Sequence, residues 1–478
     1  MRTAGLSLMF LLSACTVGPD HERPQVVGES ADWSRPPNDG EELGAAALDL
    51  EPWRKLGDPL LVELVERAVA ANRDVAQADA RLREARALRD VARGGRVPEG
   101  GVKASASQVQ LSKNGEMPFA NIPGIDRTFS LYDVGFDASW ELDLWGGTRR
   151  SVEAAAGRLA AAEAQAREAR LLVVAETVRT YADLRGAQAD ARVLGEEAEA
   201  QRRIAGLLGQ LHEAGEVARS DAADADAQAR RSEAEHAGAR ARIVASENAL
   251  ALLTANPPEA LSGRLATAGA LPVAPRLVAA GLRSDMLRRR PDVVAAEAQL
   301  RAANADVGVE TARMFPHLSL VGGIGQQSRD PADLTSGGST RFSIGPSFSW
   351  PILSLGRIKA RIRAADARTE AAAAVYEAAV LGAMADSETA LNRYATAVAV
   401  AEDLAMARDR AAVSRDLAAR RYRAGEDSLI QSLTAASRFH AAERAATDAA
   451  ADALRAHAAL VKALGGGWEP PLTSPPVP

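Results

Sequence analysis

Asn72-Arg73-Asp74-Val75 has a counterpart in Arg290-Pro291-Asp292-Val293, and Pro98 has one in Pro316, each pair 218 residues apart. Further along the spacing falls to 210, and it then links Trp140 with Trp350, Gly146 with Gly356, and Gly215-Glu216 with Gly425-Glu426. A spacing that changes once, by eight residues, describes one unit used twice with a shorter loop in the second copy. Any fold for this chain must therefore be assembled from two similar halves.

Each unit joins two unlike patterns. Over residues 129–147, Tyr132, Val134, Phe136, Ala138, Trp140, Leu142 and Leu144 fall on one parity, and Asp133, Gly135, Asp137, Ser139, Glu141 and Asp143 on the other. Alternation of this kind predicts a strand with one apolar and one polar face. After Gly146 and Gly147 the pattern becomes a helical run rich in Ala, Glu, Arg and Leu. The copy at 342–356 makes the same change. Ahead of the first hairpin, Asp58 suits an N-cap and Pro59 the first helical position, which predicts a helix running to about residue 93. Behind it, a helix over about 148–208 is expected to turn at 212–218, where Gly215 fits a left-handed helix end. A return helix to about 254 stops at Asn256-Pro257-Pro258.

The expected organisation is a signal segment (1–14), an extended N-terminal segment (15–57), repeat 1 (58–254), an equatorial connection (255–275), repeat 2 (276–464) and a tail (465–478). Strands are expected at about 101–111 and 129–144 in repeat 1 and at 316–325 and 342–353 in repeat 2, with the second turn at 422–428. The fold class is mainly α with a β-barrel part. A helix of about 60 residues spans roughly 90 Å, and the two shorter helices of each unit, laid end to end, would match it. Four strands cannot close a barrel, and lipid does not tolerate an open sheet edge, so closure requires several chains; three would supply twelve strands.

Composition narrows the function. Charged residues make up 25% of the chain, and the net charge of −6 is spread without long blocks, which argues against a nucleic-acid partner. No stretch reaches the roughly 18 apolar residues of a membrane-spanning helix, so a crossing would have to be made by strands. Arg2, the apolar run 6–12 and Leu12-Ser13-Ala14-Cys15 form a lipoprotein signal, with Cys15, the one cysteine in the chain, as the lipidation site. That count also excludes an intramolecular disulfide. The six histidines (21, 212, 236, 317, 440, 457) show no metal-binding spacing such as HExxH. Gly322-Gly323-Ile324-Gly325 lacks the Lys and helix start of a phosphate loop, and no Ser-His-Asp arrangement is apparent. Neither catalytic residues nor a cofactor or metal site is expected, and the chain reads as a passive conduit.

Several segments carry a family resemblance that covers essentially the whole chain. They are Cys15-Thr16-Val17-Gly18-Pro19-Asp20, Trp53-Arg54-Lys55-Leu56-Gly57-Asp58-Pro59-Leu60, GLRSDMLRRRPDVVAAEAQL at 281–300, and Arg421-Tyr422-Arg423-Ala424-Gly425-Glu426. With them the chain resembles TolC-like outer-membrane efflux factors of the lipoprotein (NodT) subfamily. The resemblance implies a homotrimer whose 12-stranded barrel crosses the outer membrane and continues into a periplasmic α-helical barrel. It further implies a periplasmic adaptor and an inner-membrane RND transporter as partners, and export of drugs, other toxic solutes or metal ions.

On that resemblance, Tyr132, Phe136, Trp140, Phe348 and Trp350 would face lipid, while Asp133, Asp137, Glu141 and Asp143 would line the pore. The turns at Ala214-Gly215-Glu216 and Ala424-Gly425-Glu426 would touch the adaptor, with Asp221, Asp224, Ile430 and Thr434 at the periplasmic constriction. Thr434 stands where many family members carry Asp. Asp221 and Asp224 are equally readable as acids favoured by the start of a helix. Arg288-Arg289-Arg290 is read as a solvated or salt-bridged rim. The alternatives are an exit duct for type I protein secretion and a coiled-coil lipoprotein scaffold without a pore. A scaffold, however, has no need of long two-faced strands ending in Trp.

Overall fold

The structure, a computed structural model, describes residues 16–26, 28, 33–34, 51–112, 126–276 and 283–466. Cys15, the signal segment and most of the C-terminal tail lie outside the described residues. The chain divides into two compact units. One comprises Met1–Pro24, Arg83–Ala161 and Ala296–Val375, and the other Gln25–Leu82, Ala162–Ala295 and Tyr376–Pro478.

The elements follow the doubled order. Repeat 1 supplies α1 (Pro59–Ala71), α2 (Arg73–Gly94), β1 (Glu99–Gln110), β2 (Thr128–Leu142), α3 (Gly147–Glu213) and α4 (Arg219–Leu253). A short α5 (Glu259–Leu265) comes next, and repeat 2 supplies α6 (Arg283–Arg289), α7 (Pro291–Ala312), β3 (His317–Ser328), β4 (Thr340–Ser349), α8 (Leu355–Arg423) and α9 (Leu429–Ala463). The long helices have 67 and 69 residues, and each return helix has 35.

Two expectations are corrected and one is refined. The single helix expected from Asp58 to about residue 93 is broken at Asn72. There the backbone leaves helical geometry (ψ 138°), and Asn72 Oδ1 accepts hydrogen bonds from the Asp74 and Val75 amides, at 2.8 and 3.4 Å. Asp58 does cap α1, accepting from the Leu60 and Leu61 amides. The connection after α4, expected as a Pro/Gly-rich stretch over 255–275, contains the short helix α5, whose Leu261 and Leu265 are buried. Strand β4 ends sooner than expected, because Pro351 opens a single 3-10 turn, Ile352–Ser354.

The repeat persists at the level of single hydrogen bonds. Trp140 Nε1 donates to Arg96 O and Trp350 Nε1 to Met314 O, both at 3.2 Å, and these partners are equivalent positions of the two copies. Likewise Asn72 Nδ2 donates to Leu253 O and Arg290 Nη1 to Ala463 O, both at 3.0 Å. In each copy, the residue before the second helix thus ties down the last turn of the return helix.

In the second unit the core gathers Trp53, Leu61, Leu64, Val178, Tyr181, Leu184, Leu250, Leu265 and Leu454. A buried polar chain runs through it. Tyr181 donates its hydroxyl proton to Asp58, Arg185 Nε donates to Tyr181 Oη (2.9 Å), and Arg185 Nη1 to Thr267 O (2.9 Å). Gln188 Nε2 donates to Leu265 O (2.7 Å), so α3 holds the inter-repeat connection by its carbonyls.

Candidate functional site: a two-faced sheet and paired helix turns

In the first unit the strands form one antiparallel sheet in the order β1-β2-β3-β4. Val102 opposes Phe136, Phe136 opposes Ile324 and Ile324 opposes Phe342, a straight apolar row across all four strands. Every pairing joins even-numbered with even-numbered residues or odd with odd, so one face collects Tyr132, Val134, Phe136, Trp140, Leu320, Ile344 and Phe348. Trp350 lies just past the end of β4. Within a single chain this face is uncovered: Phe342 is 78% exposed, Val102 77%, Ile344 75% and Phe348 66%. In water such a face is strongly unfavourable, since each fully buried residue of this size gains about 1.5–3 kcal/mol.

The odd-numbered face is polar, and its carboxylates are paired. Arg341 holds Asp133 through two bonds of 2.7 and 2.6 Å, and Gln327 Nε2 adds a third at 2.9 Å. Lys103 lies 3.6 Å from Asp137, and His317 Nδ1 lies 2.7 Å from Glu141 Oε1. Gly135 opposes Gly325 beneath the Arg341 side chain, where an added Cβ at Gly135 would come within 3.1 Å of Arg341 Nη2. Sequence reasoning found the four acids of this face but missed the cross-strand partners of three of them. Lys103, His317 and Arg341 share the same odd parity, a signal that could have found them. The fourth acid, Asp143, pairs locally with Arg149 Nε at 3.3 Å and also accepts from the Thr148 and Arg149 amides at the start of α3, at 3.0 and 2.9 Å.

The strand-to-helix junction of this unit also holds the residues just after Cys15. Val17 N donates to Trp145 O (3.1 Å), and an added Cβ on Gly146 would meet Thr16 at 2.7 Å. Arg150 reaches Val17 O (3.2 Å), Gly18 O (3.3 Å) and Asp20 Oδ1 (2.7 Å). Gly18, with φ +91°, packs against Gly308 so closely that a Cβ would stand 2.4 Å from its Cα. The Thr16-Val17-Gly18-Pro19-Asp20 motif is thereby fixed beside the end of β2.

In the second unit the two helix turns are near copies. Gly215 and Gly425 both have φ +76°, Gly215 N donates to His212 O and Gly425 N to Tyr422 O, and Glu216 and Glu426 close six-residue bonds to Leu211 O and Arg421 O. They differ where the return helices begin. Ser428 and Gln431 form a reciprocal capping box on α9, whereas Ala218 gives α4 no side-chain cap. Asp221, in the first turn of α4, then provides a negative charge at that uncapped end. Asp221, Asp224 and Thr434 are exposed and Ile430 is half-buried. Thr434 returns its hydroxyl to Ile430 O (2.8 Å). Ala214, Glu216, Ala424 and Glu426 are exposed at the turns, and Arg421 lies 3.2 Å from Asp427.

Helices α3, α4 and α9 are joined by charges: Arg242 to Asp190 at 3.0 Å, Arg455 to Asp183 at 2.9 Å, and Arg444 to Glu235 at 3.0 Å. Asp448 lies among these charges, and burial, with the Asp190 charge adding to it, raises its pKa. A carboxyl raised on folding favours the folded state while protonated, and that contribution is lost as pH rises from the unfolded value through the folded one. Because Asp448 still reaches solvent, which screens the effect, Asp448→Asn is expected to raise the melting temperature only slightly at pH 7, with the gain vanishing near pH 4. Thermal unfolding of the detergent-solubilised protein at both pH values checks this.

The chain superimposes on the outer-membrane channel OprN with a TM-score of 0.82 and 33% identity, covering 95% of this chain and 100% of that one. The doubled, mostly helical subunit with a small two-faced sheet is thus of the TolC-like outer-membrane channel class. The outer membrane efflux protein family model matches residues 64–256 and 282–466. The chain belongs to that family. Outer membrane protein OprJ of Pseudomonas aeruginosa is 30% identical over 98% of this chain and 96% of its own length. The pyoverdine export outer membrane protein OpmQ of the same organism is 28% identical over 97% and 96%.

Proposed function

We propose that three copies of this chain close a 12-stranded barrel in the outer membrane and continue it as a helical duct through the periplasm. The observation that carries this reading is the uncovered apolar face of a sheet whose outer strands, β1 and β4, each pair on one side only among the described residues. Lipid satisfies the face and neighbouring copies satisfy the edges. Lipidation at Cys15 fits the fixing of Thr16 beside Gly146, since the acyl chains would then enter the membrane near the end of β2. The turns at Gly215 and Gly425 meet a periplasmic adaptor, which couples the duct to an inner-membrane RND transporter. Asp221, Asp224, Ile430 and Thr434 form the constriction behind them. Drugs, other small toxic solutes or metal ions are handed over by the pump, and the duct performs no chemistry of its own.

A strain lacking the gene is expected to lose tolerance to at least one drug, dye or metal ion and to regain it on complementation. Unchanged tolerance across a broad panel would overturn the efflux reading. In planar bilayers, Asp224→Ala combined with Ile430→Ala is expected to raise single-channel conductance, and an unchanged conductance would remove these residues from the constriction.

A further inference from the structure

Within the second unit, α3 and α9 bring together Glu196, His440 and Glu443, with one donor atom from each lying within 4.8 Å of the others. His440 Nδ1 is 3.7 Å from Glu196 Oε2 and 3.9 Å from Glu443 Oε2. Both separations are too long for hydrogen bonds. They do resemble the spacing of two donors on one cation, since bonds of about 2.0–2.2 Å at a tetrahedral angle set donors about 3.4 Å apart.

The remaining oxygens explain why these three point inward. Arg192, one turn before Glu196, donates Nη1 to Glu196 Oε1 (3.1 Å) and Nη2 to Glu443 Oε1 (2.7 Å). One guanidinium thus occupies the far oxygen of each carboxylate and turns the near oxygens toward the imidazole. His440 Nδ1 and Glu443 Oε2 are shut off from solvent without a hydrogen-bond partner among the described residues. Leaving such atoms unmet is unfavourable, and a cation between them would remove the deficit. The His440 and Glu443 side chains are only 12% and 17% exposed, while Glu196, at 46%, leaves an open approach. Two carboxylates and one guanidinium carry a net charge of −1, which suits a divalent ion.

We propose that Glu196, His440 and Glu443 bind one divalent transition-metal ion per chain, with zinc the best match and water completing the coordination. One imidazole nitrogen and two carboxylate oxygens suit zinc better than magnesium or calcium, which prefer all-oxygen shells. The ion would clip α9 to α3, ten residues beyond Ile430. The sequence carries half of this site, as His440 and Glu443 sit three residues apart on one helix. Glu196 comes from 244 residues away, so no local spacing announces it.

The test uses the full-length mature protein in detergent, stripped with EDTA and titrated with zinc by calorimetry, then with cobalt by visible absorption. The expected result is one zinc per chain, a tetrahedral cobalt band, and a zinc-dependent rise in melting temperature. His440→Asn and Glu196→Gln should each abolish all three, Arg192→Lys should weaken binding about 10–100-fold, and His212→Asn should change nothing. The Glu196 variant, made at an exposed position, guards against a folding defect in the other. Equal zinc binding by wild type and His440→Asn overturns the proposal, as does no binding by wild type. Stabilisation of wild type by acid in place of zinc, lost in His440→Asn, also overturns it and assigns the position to a proton.

Discussion

Phe342→Arg is expected to abolish assembly of the channel in the outer membrane. Phe342 ends the row Val102–Phe136–Ile324–Phe342, and none of the described residues covers it. An arginine on the lipid face of a barrel costs about 2–4 kcal/mol near the bilayer centre, and a trimer would bear it three times. Ser343→Arg, one residue on, places the same charge on the polar face, across from Gly323 and close to Asp137. That variant should assemble normally and alter only conductance and ion preference. Native gels of outer-membrane fractions, followed by bilayer recording, separate the two. Normal trimers from Phe342→Arg would mean that the even-numbered face does not meet lipid.

The second large effect is expected at Arg290. Its guanidinium, 10% exposed, lies 2.6 Å from Asp292 Oδ2 and 3.4 Å from Asp386 Oδ2, and donates to Ala463 O at the end of α9. Asp292 and Asp386 stay in reach of water, at 34% and 68% exposed, so the cost of removing the guanidinium is chiefly its lost charge-assisted bonds, about 1.5–3 kcal/mol. Arg290→Ala should therefore lower the melting temperature sharply and reduce the amount of protein in the membrane. Arg288→Ala, at an exposed neighbour, should stay within about 0.5 kcal/mol of wild type. Equal effects at both positions would return the whole triplet to an ordinary solvated rim.

Arg290 also marks the limit of what could be read from sequence. The expectation of a solvated or salt-bridged rim was half right, because the ion pairs exist but the residue is buried. The fact that decides its importance, the bond to Ala463 O, lies 173 residues away. The doubled architecture, the helix turns and the alternating strands were legible because each is a local pattern or a fixed spacing. The break at Asn72 was missed because Asn72-Arg73 looks helical until the Asn72 side chain is seen capping the start of α2. Helix α5 was missed because Pro257-Pro258 and Gly263 read as a linker, while its stability comes from two leucines reaching a distant core. The cross-strand partners Lys103, His317 and Arg341 needed the register, which alternation alone does not supply.

That register carries an evolutionary consequence. All three strand pairings match odd positions with odd and even with even, so the sheet has a reading frame of two. A one-residue insertion inside any strand would throw every later residue of that strand onto the opposite face, apolar for polar and polar for apolar. Indels in the strands should therefore survive only in pairs or where a bulge absorbs the extra residue. Hairpin loops are under no such rule. The eight-residue difference between the two copies falls in such a loop, where length could drift after duplication without shifting the frame.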